Sequence, residues 1–298
     1  AAPQGLALPA FEALASDLDA FLEAQRLLEA GLSAAGPVLL QAGGGPGRLL
    51  VHHPPPPPPA PAELDSWFGL PFLRKAHPDH EASGGVPALD LVADSIIAHR
   101  GCLGDCSFCA LTLHQGRALV SRSPESIAAE AAALLADPAL RGRISDVGGP
   151  SANMYGLACP RLAAGDPCPE RSCLTPIPCP RLGPPGSRAW LELLERLAAL
   201  PGAKSIGVGS GVRFDLLDRP GLERLLRHHV RGQLKVAPEH CGAETLERMN
   251  KPPWERYVAF ERLFRETNRR LGRSEDPTSE NQSPNTISYP VFCFNTQT

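Results

Sequence analysis

Three cysteines within one short stretch, Cys102-Leu103-Gly104-Asp105-Cys106-Ser107-Phe108-Cys109, constrain this chain more than any other feature. They are spaced C-x3-C-x2-C and follow the apolar run Ser95-Ile96-Ile97-Ala98. Thiolates are soft ligands suited to iron–sulfur centres, and three from one loop can hold three irons of a cubane. The fourth iron is then left to something outside the loop, which makes this a place for chemistry as well as scaffolding. The residues leave a second reading open, half of a structural zinc site completed by His99 or His114. Zinc knuckles usually bring cysteines in pairs two apart. The x3 spacing and the aromatic before the last cysteine depart from that pattern, so a cluster is the stronger expectation.

The surrounding chain bounds the setting. Hydrophobic residues make up 43% of the 298, enough for a globular core. A formal net charge of −3 gives no global pull toward nucleic acid or a membrane surface. No apolar run approaches the roughly 20 residues of a membrane span, and no charged-then-apolar leader is seen. Nine cysteines without such a leader argue for metal ligation in a reducing compartment over a disulfide framework, so a cytoplasmic location is expected. Met154 and Met249 are the only methionines, so Ala1 is not a translation start and a fragment or processed product is expected.

Periodicity predicts an amphipathic helix over residues 11–30 with Gly31 as its stop, then short strands over 38–41 and 48–52 around Gly43-Gly44-Gly45. Residues 54–59 are all proline and must be extended, read here as a stiff connector before a polyproline ligand. A short helix is predicted over 62–70. From Leu91 onward strands alternate with helices: strands over 95–98, 143–147, 205–208 and 233–236, helices over about 124–135, 187–200, 220–230, 243–249 and 254–271. Ser123 is the expected cap of the first of these helices, with Pro124 and Glu125 in its first turn. Such alternation implies a parallel sheet or barrel, whose loops at strand C-termini carry the site. The cysteine loop, Gly148-Gly149, Ser210 and Ala237-Pro238-Glu239-His240 then converge. Glu239 and His240 are the better candidates for substrate contact, whereas His228-His229 read as a cap or core pair.

Residues 150–186 interrupt the rhythm and are too long for a plain connector. They hold Cys159, Cys168, Cys173 and Cys179, enough for a second cluster or a zinc, though the x8, x4, x5 spacing fits no simple template. Cys241 and Cys293 read as bystanders. The tail beyond Gly272 shifts in composition, with Asn281, Asn285 and Asn295 close together, and reads as disordered.

The loop resembles the signature of the radical S-adenosylmethionine (SAM) superfamily, C-x3-C-x-aromatic-C, with Phe108 as the aromatic. The likeness extends to the YgiQ-type subfamily through His99-Arg100-Gly101-Cys102, His114-Gln115-Gly116-Arg117, Ser121-Arg122-Ser123, Ser145-Asp146-Val147-Gly148-Gly149-Pro150, Ala152-Asn153-Met154-Tyr155-Gly156, Ser210-Gly211-Val212-Arg213-Phe214-Asp215 and Lys235-Val236-Ala237-Pro238-Glu239-His240. It covers roughly residues 60–272. The resemblance implies a [4Fe-4S] cluster on Cys102, Cys106 and Cys109, with SAM chelating the open iron. Reductive cleavage of SAM would then release a 5′-deoxyadenosyl radical that takes a hydrogen atom from a substrate the resemblance does not name. An electron donor such as a flavodoxin or ferredoxin is implied as a partner. Phe108 would lie near adenine, Gly148 and Gly149 near the SAM amino group, and Ser210 and Arg213 near ribose and carboxylate. Pro150 stands where many relatives carry an acid.

The expected fold class is α/β: a partial (β/α) TIM-like barrel of the radical SAM type with an N-terminal α+β flank and a disordered C-terminal tail. The expected domains are a flank with its polyproline connector over 1–90, a core over 91–272 containing the 150–186 insertion, and the tail over 273–298. A runner-up from another class is a non-catalytic iron–sulfur or zinc-binding fragment of such an enzyme.

Overall fold

Six consecutive prolines cannot donate to a ladder or continue a helix, and the chain divides within this run. A computed structural model of the chain describes residues 4–31, 36–163, 168, 173–182 and 187–273. One compact unit comprises Ala1–Pro58 with Pro160–Pro169, the other Pro59–Cys159 with Glu170–Thr298.

In the first unit β1 (Leu6–Leu8) pairs parallel with β2 (Leu39–Ala42), which pairs antiparallel with β3 (Leu49–His52). The two predicted strands are present, and β1 joins them from a stretch the alternation pattern did not flag. The single helix expected over 11–30 is two, Phe11–Leu14 and Leu18–Ala30. The reason is local: the Asp17 carboxylate accepts from the Asp19 and Ala20 amides and starts a new helix.

The second unit holds the cysteine loop. Here β4 (Ser95–Ile97) runs into β5 (His99–Arg100), which pairs antiparallel with β6 (Val120–Ser121). The run 143–148 is split at Ser145 into β7 (Arg143–Ile144) and β8 (Asp146–Gly148). Its two halves face opposite neighbours: β8 pairs parallel with β4, Ile97 opposite Gly148, and β7 pairs parallel with β9 (Ser205–Ile206). Helices Pro124–Leu135, Arg188–Ala198, Arg219–His228 and Trp254–Arg270 follow the strands, close to their predicted bounds. Ile96, Ala98, Ile144, Val147 and Ile206 bury against Trp190, Leu194, Leu222 and Phe260 in one core. Trp190, wholly buried, also donates its indole N–H to the Val147 carbonyl at 3.1 Å, fixing a helix to the central strand.

The architecture is mixed α/β, as expected, and the parallel strands stand in order, but no closed barrel forms among the described residues. The fourth predicted strand, 233–236, is extended chain outside any described sheet. Leu234 and Val236 are buried in the core, and one backbone bond, Val212 N–H to the Lys235 carbonyl at 2.8 Å, ties the segment in. Its alternating burial reads as a strand while its backbone makes no ladder. The predicted tail lies outside the described residues from 274 onward.

Ser123 caps the helix Pro124–Leu135 through its Oγ, which accepts from the Ser126 amide at 3.1 Å, while its own amide donates to Asp65 at 3.0 Å. Ser123→Ala should therefore lower stability by about 1 kcal/mol, seen as a lower urea midpoint at unchanged slope, and Ser123→Asp should restore it. Equal midpoints for wild type and Ser123→Ala would show that the cap contributes nothing.

Candidate metal centre and cofactor site

The cysteine loop is held on both sides by backbone bonds. Gly101 has φ +88°, and a Cβ there would stand 2.1 Å from the Ala118 carbonyl oxygen, so only glycine fits where the chain leaves β5. On this flank the Gly101 amide donates to Gln115 at 3.2 Å and the Cys102 amide to the Gly116 carbonyl at 3.1 Å. On the other flank the segment after helix Ala243–Arg248 docks on the loop. The Ser107 amide donates to the Met249 carbonyl at 3.2 Å, the Ser107 hydroxyl to the Arg248 carbonyl at 2.8 Å, and the Asn250 amide group to the Asp105 carbonyl at 2.8 Å.

Two of the loop's three thiols, those of Cys102 and Cys106, gather around Gly104. A Cβ at Gly104 would lie 3.4 Å from Cys102 Sγ, 3.6 Å from Cys106 Sγ and 3.7 Å from Arg213 Nη1. Cys109 closes the loop, its amide donating to the Cys106 carbonyl at 3.0 Å. Burial pushes the Cys102 and Cys106 thiols up, and each is also raised by the charge of the neighbouring thiolates. Arg213 opposes this at both thiols, and Lys251 at Cys106. Among the described residues no three His, Cys, Asp or Glu side chains converge on a single ion. A cubane asks for something different, since each thiolate ligates its own iron and the sulfurs stand apart around it. Three thiols of one loop, with two cations facing them and no side chain at Gly104, fit that donor set.

Arg213 is fixed from three directions. Its Nε and Nη2 donate to the two Asp215 oxygens at 2.8 and 2.7 Å. Burial works against its charge, but Asp215 outweighs that and holds its pKa above the ordinary value. Its backbone is clamped by the wholly buried Asn153, which accepts from the Arg213 amide at 2.8 Å and donates to its carbonyl at 2.9 Å.

The Gly148-Gly149 turn is packed rather than open. A Cβ at Gly148 would sit 2.6 Å from Ser210 Oγ, and one at Gly149 2.5 Å from His99 Cε1. Ser210 is tied to Asp146, whose carboxylate accepts from the Gly209 amide at 2.8 Å, the Ser210 amide at 2.9 Å and the Ser210 hydroxyl. Phe108 is half-exposed on the loop, its ring centre 6.0 Å from Lys251 Nζ. Spacing and resemblance singled out the three cysteines, Ser210 and Arg213. Asp146, Asn153 and Asp215 lie inside the motifs quoted for the resemblance without a role being read for them, and Lys251 lies outside those motifs.

Within the second unit Cys159, Cys173 and Cys179 form no group of three metal-ligating side chains among the described residues. Cys159 and Cys173 are buried, and the Cys179 amide donates to the Cys173 carbonyl at 2.8 Å. Cys168 falls in the other compact unit. No described helix is long and apolar enough to cross a membrane.

Comparison with known proteins agrees with the resemblance. Residues 2–95 match the family described as Radical SAM N-terminal. A UPF0313 protein of Methanocella arvoryzae is 44% identical over 216 residues, which cover 72% of this chain and 36% of that protein. A UPF0313 protein of Geobacter sulfurreducens is 42% identical over 280 residues, 92% of this chain and 45% of that protein. The chain is thus similar to radical SAM sequences of the UPF0313 type, and spans less than half the length of these relatives. Among solved structures, the radical SAM methyltransferase TsrM from Kitasatospora setae, with tryptophan and a SAM analogue bound, aligns at a TM-score of 0.38 and 20% identity, over 58% of this chain and 28% of its own.

His99, immediately before the loop, is fully buried, and neither ring nitrogen has a hydrogen-bond partner among the described residues. Burial pushes its pKa from 6.5 down to about 4. In that window the unfolded chain binds a proton that the folded chain excludes, so this contribution is complete above pH 6.5 and is lost as pH falls toward about 4. The urea midpoint of the metal-free, reduced chain should accordingly fall less steeply over this window in His99→Gln than in wild type. Parallel curves would mean that His99 is not held neutral.

Proposed function

We propose that this chain is the cluster-bearing part of a radical SAM enzyme: Cys102, Cys106 and Cys109 hold a [4Fe-4S] cluster, and SAM is cleaved there to generate a radical for an as yet unidentified substrate. The observation that carries this reading is the gathering at Gly104, where two of the loop's thiols and the Arg213 guanidinium surround one backbone position. The kinship with radical SAM sequences of the UPF0313 type supports it. When bound and reduced, the cluster supplies the electron that splits the sulfonium carbon–sulfur bond of SAM into methionine and a 5′-deoxyadenosyl radical.

The chain's own part is to bind, orient and exclude water. The loop is braced on both flanks, so its thiols are presented with little freedom to rearrange. Arg213, fixed by Asp215 and Asn153, aims Nη1 at the thiols and offsets negative charge gathered there. Ser210, held by Asp146, and Gly148-Gly149 form the neighbouring strand ends that would line the SAM side of the loop. Phe108 offers an exposed aromatic face for adenine. An electron donor of the flavodoxin or ferredoxin kind is required.

Anaerobic reconstitution with iron and sulfide should load about four irons per chain on this loop, with zinc absent. With dithionite the loaded chain should convert SAM to 5′-deoxyadenosine, and Cys106→Ala should lose both the iron and the product. A chain that retains zinc in place of iron, or yields no more 5′-deoxyadenosine than Cys106→Ala, would defeat the proposal.

A further inference from the structure

Two buried cations face the cysteine loop, and they are tethered very differently. Arg213 makes two bonds to Asp215, at 2.8 and 2.7 Å, in a pair whose side chains are 8% and 0% exposed. Lys251 is just as buried, 6% exposed, yet among the described residues its ammonium reaches only Glu239, at 3.4 Å. An ammonium has three donors, and a buried one held by a single long contact has binding capacity to spare. Both members of this pair lie close to the loop: Cys106 feels the charge of each, and the Phe108 ring is 6.0 Å from Lys251 Nζ.

The backbone around the pair is unusual. Glu239 has φ +71° and Asn250, next to Lys251, has φ +54°. Asparagine tolerates the left-handed region, but glutamate gains nothing from it. Such a residue is strained and recurs at ligand clamps. Asn250 is in turn pinned to the loop through the Asp105 carbonyl, so Lys251 is set against the cysteines by a built contact.

Resting on the function proposed above, we propose that Lys251 and Glu239 form an exchangeable ion pair that opens to take the amino-acid end of SAM, Lys251 receiving its carboxylate and Glu239 its amino group. A largely buried pair, Lys251 6% and Glu239 22% exposed, suits a ligand carrying both groups, because each charge trades one partner for another and neither is left uncompensated. A ligand with one such group would leave the other side chain without its counter-charge, most unfavourably Lys251. Arg213 is the poorer candidate for this exchange, since opening it breaks a bidentate bond to a wholly buried Asp215.

A ligand cycle tests this. Equilibrium dialysis of the reconstituted chain gives dissociation constants for SAM and for decarboxylated SAM, in wild type and in Lys251→Met. Removing the ligand carboxylate should weaken wild-type binding by about 10- to 100-fold more than it weakens Lys251→Met, with Lys251→Arg close to wild type. An equal ratio in wild type and Lys251→Met overturns the pairing while leaving SAM binding intact. A cluster-loaded wild type that binds no SAM overturns the functional reading itself, and the pairing with it. If Lys251→Met does not retain its cluster, Glu239→Gln with the analogue bearing hydroxyl in place of the amino group decides the matter. Its ligand ratio must then fall below that of wild type, and an unchanged ratio overturns the proposal.

Discussion

The close approach at Gly148-Gly149 is the contact on which the arrangement of the site depends. β8 is the central strand, with β4 on one side and, through β7, β9 on the other. At its C-terminal end the chain has no side chains for two residues, and the vacated space is filled from both neighbours. Ser210 from the loop after β9 lies against Gly148, and His99 from the strand before the cysteines lies against Gly149. A methyl group at either position would stand well inside van der Waals contact. The two glycines thus set the distance between the cysteine loop and the loop that carries Ser210 and Arg213. The resemblance implied that these glycines lie near the SAM amino group. In the structure their first duty is to let two neighbouring elements meet.

Around that contact the polar groups are paired across long stretches of chain. Asp146 gathers three donors from Gly209 and Ser210, and Asn153 gathers both backbone groups of Arg213. Each arrangement satisfies backbone groups where an unpaired one would cost about 1–3 kcal/mol. The loops at the strand ends are therefore not loose, although each is irregular. Loop residues held by fully used hydrogen bonds can present a side chain as reliably as a helix does.

The parts legible in the sequence were those with local causes. Ser123-Pro124-Glu125 announces a helix start within three residues, and the helix begins there. Amphipathic spacing found the helices that cover the strands, because each buries one face against a single core. Three cysteines at fixed spacing need no tertiary context to be read. The failures have equally physical reasons. At Asp17 a side-chain cap competed with a continuous apolar stripe and won. Residues 233–236 have the burial rhythm of a strand, but no neighbouring strand donates a ladder to them among the described residues. The roles of Asp146, Asn153 and Lys251 were not legible, although the first two stand in resembling motifs, because those roles come from partners far along the chain and an isolated Asp, Asn or Lys carries no periodic signature.

The electrostatics of the loop show why such distant residues matter. Burial alone raises the Cys102 and Cys106 thiols and so opposes the thiolate form that any metal ligation requires. The loop itself offers no cation to correct this: Asp105 is its one charged side chain between the first and last cysteine, and it has the wrong sign. Within the loop the Gly104 amide, donating to Cys102 Sγ at 3.4 Å, lowers that thiol, and the charges that assist come from Arg213, in the loop after β9, and Lys251, between two later helices. Both are buried, so their fields are weakly screened and act at the thiols with more effect than surface charges would. The cysteine spacing therefore specifies which atoms can ligate, while the folded arrangement of the later segments governs how readily they ionise. An intact loop on an unfolded chain would have the first property without the second.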